Sequence, residues 1–150
     1  MRKTLLAAAF LALVTPMFAA ADFSGTWKLN TQTSTGPEQA TEAQLVSVIA
    51  GNTQTITVTR TTSDGTPGIT KFSIPLKGGA GTIIETPFKA VAAMPSTPTT
   101  QDFTFTIDGK PAMHIQSVLS VDGKTMTTTR TVTAGPMKPG IYTDIWERQS

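Results

Sequence analysis

Apolar and hydroxyl-bearing residues alternate one by one along most of this chain, and that period of two limits its folds more than any other feature. In KFSIPL, Phe72, Ile74 and Leu76 share one face; in DFTFTID, Phe103, Phe105 and Ile107 do, with Ser73, Thr104 and Thr106 on the other. QTITVTRTT sets Ile56, Val58 and Arg60 against a row of Thr, and KTMTTTRTV sets Met126, Thr128, Arg130 and Val132 against Thr127, Thr129 and Thr131. Side chains on a strand point to opposite faces in turn, so this pattern predicts half-buried strands and not helices. Thr suits the outer side, being β-branched and at ease in water. A Thr ladder on one face can serve as an ice- or carbohydrate-binding surface, but the commoner reading, adopted here, is the wet side of a sheet.

Between the strands stand Gly51-Asn52, Asp64-Gly65, Asp108-Gly109 and Asp122-Gly123. Such pairs supply the positive φ angles of tight hairpin turns, so the strands they join are expected to be antiparallel neighbours. The spacing predicts eight to ten strands, near 23–29, 43–50, 54–62, 68–76, 81–85, 87–92, 101–108, 112–121, 124–133 and 141–148. NTQTSTGPEQATE, opened by Pro37 and Glu38, is expected to hold one helical turn. MPSTPTT reads as a loop, and the glycine cluster GGAG at 78–81 as a turn or bulge. A meander of so many short strands avoids open edges by closing into an up-and-down antiparallel β-barrel, whereas a sandwich only shortens them. The Greek-key crossings typical of an immunoglobulin-like sandwich have no sign in this spacing.

Residues 1–21 read as a secretory signal peptide. Met1-Arg2-Lys3 is a basic start, TLLAAAFLALV an apolar centre, and Ala19 and Ala21 occupy the small-residue positions of a cleavage site. The apolar stretch is shorter than the roughly 20 residues of a spanning helix, which argues against an uncleaved anchor or other transmembrane segment. The expected product is residues 22–150, one periplasmic or secreted domain. The chain has no Cys, so neither a disulfide nor a lipidated Cys is in play. Cleavage would remove Arg2 and Lys3, leaving 10 of the 12 Lys and Arg against 10 Asp and Glu. A neutral chain with no basic cluster lacks the footprint for phosphate backbones, so nucleic acid is not an expected partner.

The stretch FSGTWKLN follows the cleavage site directly. Its Gly25-Thr26-Trp27, preceded by Phe23, resembles the G-x-W signature that opens the first barrel strand of the calycin superfamily, the lipocalins and fatty-acid-binding proteins. The likeness extends to small exported bacterial lipocalin-like proteins of unknown function, which begin with GTWKLN, carry DGK turns like Asp108-Gly109-Lys110 and Asp122-Gly123-Lys124, and end on an aromatic, basic strand. The resemblance implies that Trp27 closes one end of the barrel and that a basic residue of the last strand, Arg148 in IYTDIWERQ, packs across it. Gly25 would leave room for the indole or for a neighbouring backbone. Two features depart from the fatty-acid-binding proteins: the stretch after Leu29 is too short for their helix-turn-helix lid, and the C-terminal strand lacks their arginine and tyrosine pattern. Fatty-acid binding is therefore not carried over.

No catalytic constellation stands out. His114 is the only His, and alternation with Met113, Ile115, Leu119 and Val121 places it on the wet face. No nucleophile elbow, phosphate loop or metal-ligand spacing appears, so no catalytic residue, metal or cofactor is assigned. Arg60 and Arg130 fall on inward faces. Either they form an anionic head-group site for an amphiphile whose tail meets Phe72, Phe103, Phe105 and Met126, or they lie at strand ends and pair with Glu85 or Asp144. The leading expectation is a lipocalin-like protein that binds a small hydrophobic or amphiphilic ligand without catalysis. The alternative is a solid-cored barrel acting through its surface as an interaction or envelope accessory module, and a hydrolase or isomerase on the same scaffold stands third. Cavity volume separates the first two, because a barrel of about eight strands can be filled or hollow.

Overall fold

Each of the four predicted turn dipeptides joins neighbouring antiparallel strands in the computed structural model, which describes residues 22–150. The signal-peptide reading lies outside the described residues. At the two-residue turn after Ile107, Asp108 has φ 50° and Gly109 φ 73°, the paired positive angles of a type I′ hairpin. The strands are β1 (Gly25–Leu29), β2 (Ala40–Ala50), β3 (Thr53–Thr62), β4 (Pro67–Pro75), β5 (Gly79–Ala80), β6 (Thr82–Glu85), β7 (Ala90–Ala93), β8 (Thr100–Ile107), β9 (Lys110–Leu119), β10 (Thr125–Val132) and β11 (Gly140–Arg148).

They form one sheet in the order β5-β7-β8-β9-β10-β11-β1-β2-β3-β4-β6. Neighbours in sequence are neighbours in space except at two places. The last strand pairs with the first, Trp27 opposite Arg148 and Leu29 opposite Trp146, joining the ends of the meander. At the opposite seam one stretch of chain serves both free edges: β5 pairs with β7, and β6 pairs with β4. The crossing is made at Gly81, whose N–H donates to Val91 O at 2.8 Å. A Cβ there would collide with Ser73 O and lie 2.8 Å from Val91 Cγ1, so the backbones approach closely only because this residue is glycine.

The result is an all-β, antiparallel, nearly closed barrel with eleven strands, where the sequence reading gave eight to ten. The count rises because Gly79–Ala80, expected to belong to a turn or bulge at 78–81, instead pairs with β7 as a short strand of its own. The expected helical turn after Pro37 is also absent, and among the described residues there is no helix. Asn30 Oδ1 accepts the N–H groups of Gln32 and Thr33, and Thr35 exchanges two backbone hydrogen bonds with Thr143 at 2.9 Å each. Backbone groups committed to β11 are not free to bond along their own segment, and residues 36–38 bend on into β2 without a helical turn.

Alternation sorts the side chains as expected. On β10, Met126, Thr128, Arg130 and Val132 are buried, and Thr125, Thr127, Thr129 and Thr131, which alternate with them, are half-buried. Four phenylalanines pack on one side of the interior: Phe72 lies 4.8 Å from Phe105 edge-on and 5.3 Å from Phe103, and Phe88 stacks on Phe105 at 4.8 Å. Edge-on and offset ring pairs of this kind add roughly 0.5 to 1.5 kcal/mol each beyond area burial. A second cluster of Phe23, Trp27, Leu29, Ala43, Leu119, Met126 and Trp146 fills the end at which the described residues begin. Val121, expected on the inner face with Leu119, is instead fully exposed, because β9 ends at Leu119 and Val121 sits in the turn.

Candidate functional site

The three residues predicted to close the barrel and the six predicted to line a ligand site fall in different places. Gly25, Trp27 and Arg148 build the closed end. The Arg148 guanidinium lies 4.1 Å from the centre of the Trp27 ring. Its nitrogens donate to Gly123 O at 2.8 Å, to Asp22 O at 2.6 Å and to Ser24 O. One side chain thus ties the start of the domain and the turn after β9 to the last strand, over a buried indole. Gly25 makes room neither for the indole nor for a backbone: a Cβ there would stand 2.9 Å from Arg148 Nη1, so the space belongs to the guanidinium.

Arg60, Phe72, Phe103, Phe105, Met126 and Arg130 all line one interior cavity of about 110 Å³. Strand alternation on β3, β4, β8 and β10 turns each of them inward. The arginines do not sit alone. Asp144, inward on β11 and 3% exposed at its side chain, receives Arg130 Nε at 2.6 Å and Nη2 at 3.1 Å, and Arg60 Nη2 at 2.9 Å. Asp144 and not Glu85 is therefore the partner, and neither arginine escapes past a strand end to reach it. Arg130 also rests 4.4 Å over the Tyr142 ring, and Arg60 5.4 Å over Trp146.

This group carries one positive charge in excess, two guanidiniums against one carboxylate. Among the described residues no second carboxylate pairs with either guanidinium. Burial by itself would raise the Asp144 pKa, but Arg60 and Arg130 outweigh it and hold the carboxyl below its ordinary value. Burial lowers the Arg60 pKa, and the positive charge of Arg130 adds to the effect against the pull of Asp144. The Trp146 ring lines the same cavity, and its buried Nε1–H has no hydrogen-bond partner.

Polar groups that the sequence reading did not single out complete the wall. Gln101 Nε2 donates to Gln54 Oε1, Gln54 Nε2 donates to Ser47 Oγ at 2.8 Å, and Ser117 and Thr128 share a hydroxyl hydrogen bond at 2.9 Å. Gln54 and Gln101 each stand two residues before a named inward residue, Ile56 and Phe103, so strand periodicity alone could have placed them inside. What periodicity could not show is that they meet. His114 lies on the outer face as expected, 2.8 Å from Asp102 Oδ1 and partly exposed, away from the cavity.

No protein-family model and no curated protein matches the sequence. In three dimensions the chain is similar to a solved structure described as "REP1-NXSQ fatty acid transporter", with a TM-score of 0.55, 13% identity, and coverage of 87% of this chain and 98% of that one. The likeness is one of fold. That structure and the present chain share a barrel, consistent with the calycin-like barrel that the Gly25-Thr26-Trp27 motif implies. The finer likeness to small exported lipocalin-like proteins rests on the sequence motifs.

Proposed function

We propose that this protein is an exported, non-catalytic binder of a small amphiphile with a single anionic head group. The observation that carries the reading is the excess positive charge of Arg60, Arg130 and Asp144 at the wall of an aromatic cavity. A buried, uncompensated cation is expensive, and a carboxylate, phosphate or sulfate beside it would relieve that cost. Phe72, Phe103, Phe105 and Met126 provide the apolar surface against which a tail would pack. The barrel likeness to a fatty acid transporter is compatible with such a ligand. Residues 1–21 would deliver the domain to the periplasm or the exterior.

The volume restricts what enters. At about 110 Å³ the cavity lies below the ~300–1,000 Å³ of ordinary ligand sites and near the scale of an engineered ~150 Å³ cavity that accepts benzene. The buried part of the ligand is then a short acyl chain or one aromatic ring. The same small volume favours a second reading, a side-chain-filled barrel that acts through its surface.

Titration of residues 22–150 with octanoate and with octanol separates the two. Octanoate should bind at least tenfold more tightly than octanol, and Arg60→Met should remove that preference, since a hydrogen bond to a charged group contributes about 1.5–3 kcal/mol. Equal binding of acid and alcohol would sink the head-group assignment. Absence of binding, together with a bare mass in native mass spectrometry of the protein isolated from its own compartment, would support the surface module.

A further inference from the structure

A second, more open pocket of about 320 Å³ lies beyond the first, at the plugged end, bounded by Ile49 and Leu76 and, on its outer side, by the exposed Asp22, Thr97 and Pro98. Phe23 and Gln101 line both chambers. These two side chains are therefore the partition between them. Phe23 is 3% exposed and its carbonyl accepts the Trp27 indole N–H at 3.4 Å; Gln101 is fixed by its bond to Gln54. The outer wall is equally preformed, with Ser96 N–H on Leu76 O at 2.8 Å and the Thr97 and Thr100 hydroxyls 2.6 Å apart. Yet the wall is not finished as a core would be, because Ser96 Oγ is buried without a hydrogen-bond partner.

We infer that the two chambers are one binding site for a single-chain amphiphile, its head at Arg60 and Arg130 and its tail passing between Phe23 and Gln101 into the space beside Leu76 and Ile49. The inference rests on the head-group reading above and extends it from a short ligand to a long one. Together the chambers reach the volume range of ordinary ligand sites, which the first does not. The tail leaves through the Trp27 end, alongside the plug and not through it, since Trp27 lines neither cavity. Phe23 then acts as the residue that sets ligand length.

The test is chain-length dependence, using octanoate and tetradecanoate below their micelle concentrations on residues 22–150. Each buried methylene adds roughly fourfold in affinity, so tetradecanoate should bind at least 30-fold more tightly than octanoate. Leu76→Trp, which touches only the second chamber, should reduce that advantage to less than threefold and leave octanoate binding unchanged. Phe23→Ala, which widens the partition, should speed tetradecanoate association several-fold. An advantage that persists in a folded Leu76→Trp variant, or wild-type affinities equal for the two acids, would overturn the inference while leaving the head-group site standing. Failure of both acids to bind would instead remove the head-group reading and this one with it.

Discussion

Replacing Asp144 with Asn removes the one carboxylate that two inward guanidiniums share. The Arg130 side chain is 6% exposed and cannot reach water without leaving its seat on Tyr142, whereas Arg60, at 23%, can partly rehydrate. Removing one member of a buried ion pair costs about 3–5 kcal/mol, and the partial escape of Arg60 argues for the lower end, about 3 kcal/mol. With a urea dependence of roughly 1.5 kcal/mol per molar, the unfolding midpoint should fall by about 2 M. Acid should reveal the origin of the loss. Because Asp144 is held below its ordinary pKa, its contribution is complete above the unfolded-state value near 4 and disappears as pH falls through the lower folded-state value. The gap between wild type and Asp144→Asn should thus be constant from about pH 5 to 8 and close below pH 4. The same variant should bind octanoate more tightly, since the site gains a second uncompensated charge. Urea titrations across this pH range would refute the reasoning if the gap at pH 7 were under about 0.5 kcal/mol, or if it widened in acid.

Arg148→Ala should destabilise the domain by about 2 kcal/mol, from the lost contact over Trp27 and the hydrogen bonds to Asp22, Ser24 and Gly123. Arg148→Lys should restore less than half in thermal melts, because an ammonium lacks the planar fork; full recovery would mean that charge alone matters. Gly81→Ala should cost about 1–3 kcal/mol by forcing the seam apart at Ser73 and Val91, with faster hydrogen exchange confined to residues 79–85 and their partners. Uniformly unchanged exchange there would show that the seam is not held by close backbone approach.

Much of the architecture was legible before any coordinates. Alternation in KTMTTTRTV put Arg130 and Met126 on one face because a strand's geometry leaves no other choice. Asp108-Gly109 demanded a hairpin because few other pairs accept two positive φ angles. The segment after Pro37 misled, since a local helix-start signal could not register that Thr35 would find Thr143 across the barrel. The strand count erred at Gly79–Ala80 for a related reason: the sequence shows a glycine cluster, but only the meeting of two sheet edges shows what it is for.

The site divides in the same way. That Arg60 and Arg130 face inward follows from strand period, a property of each strand on its own. That both converge on Asp144, that Trp146 buries an unpaired N–H beside them, and that Phe23 stands between two chambers depend on which strands lie side by side and across the interior. Arg60 and Asp144, for example, stand 84 positions apart. Sequence by itself determined the strands, their turns and the inward or outward sense of each side chain, because these are set by local backbone geometry. Only closure of the barrel decided which inward groups meet, because the distances that create charge pairs, cavities and partitions exist only once the sheet curls back on itself.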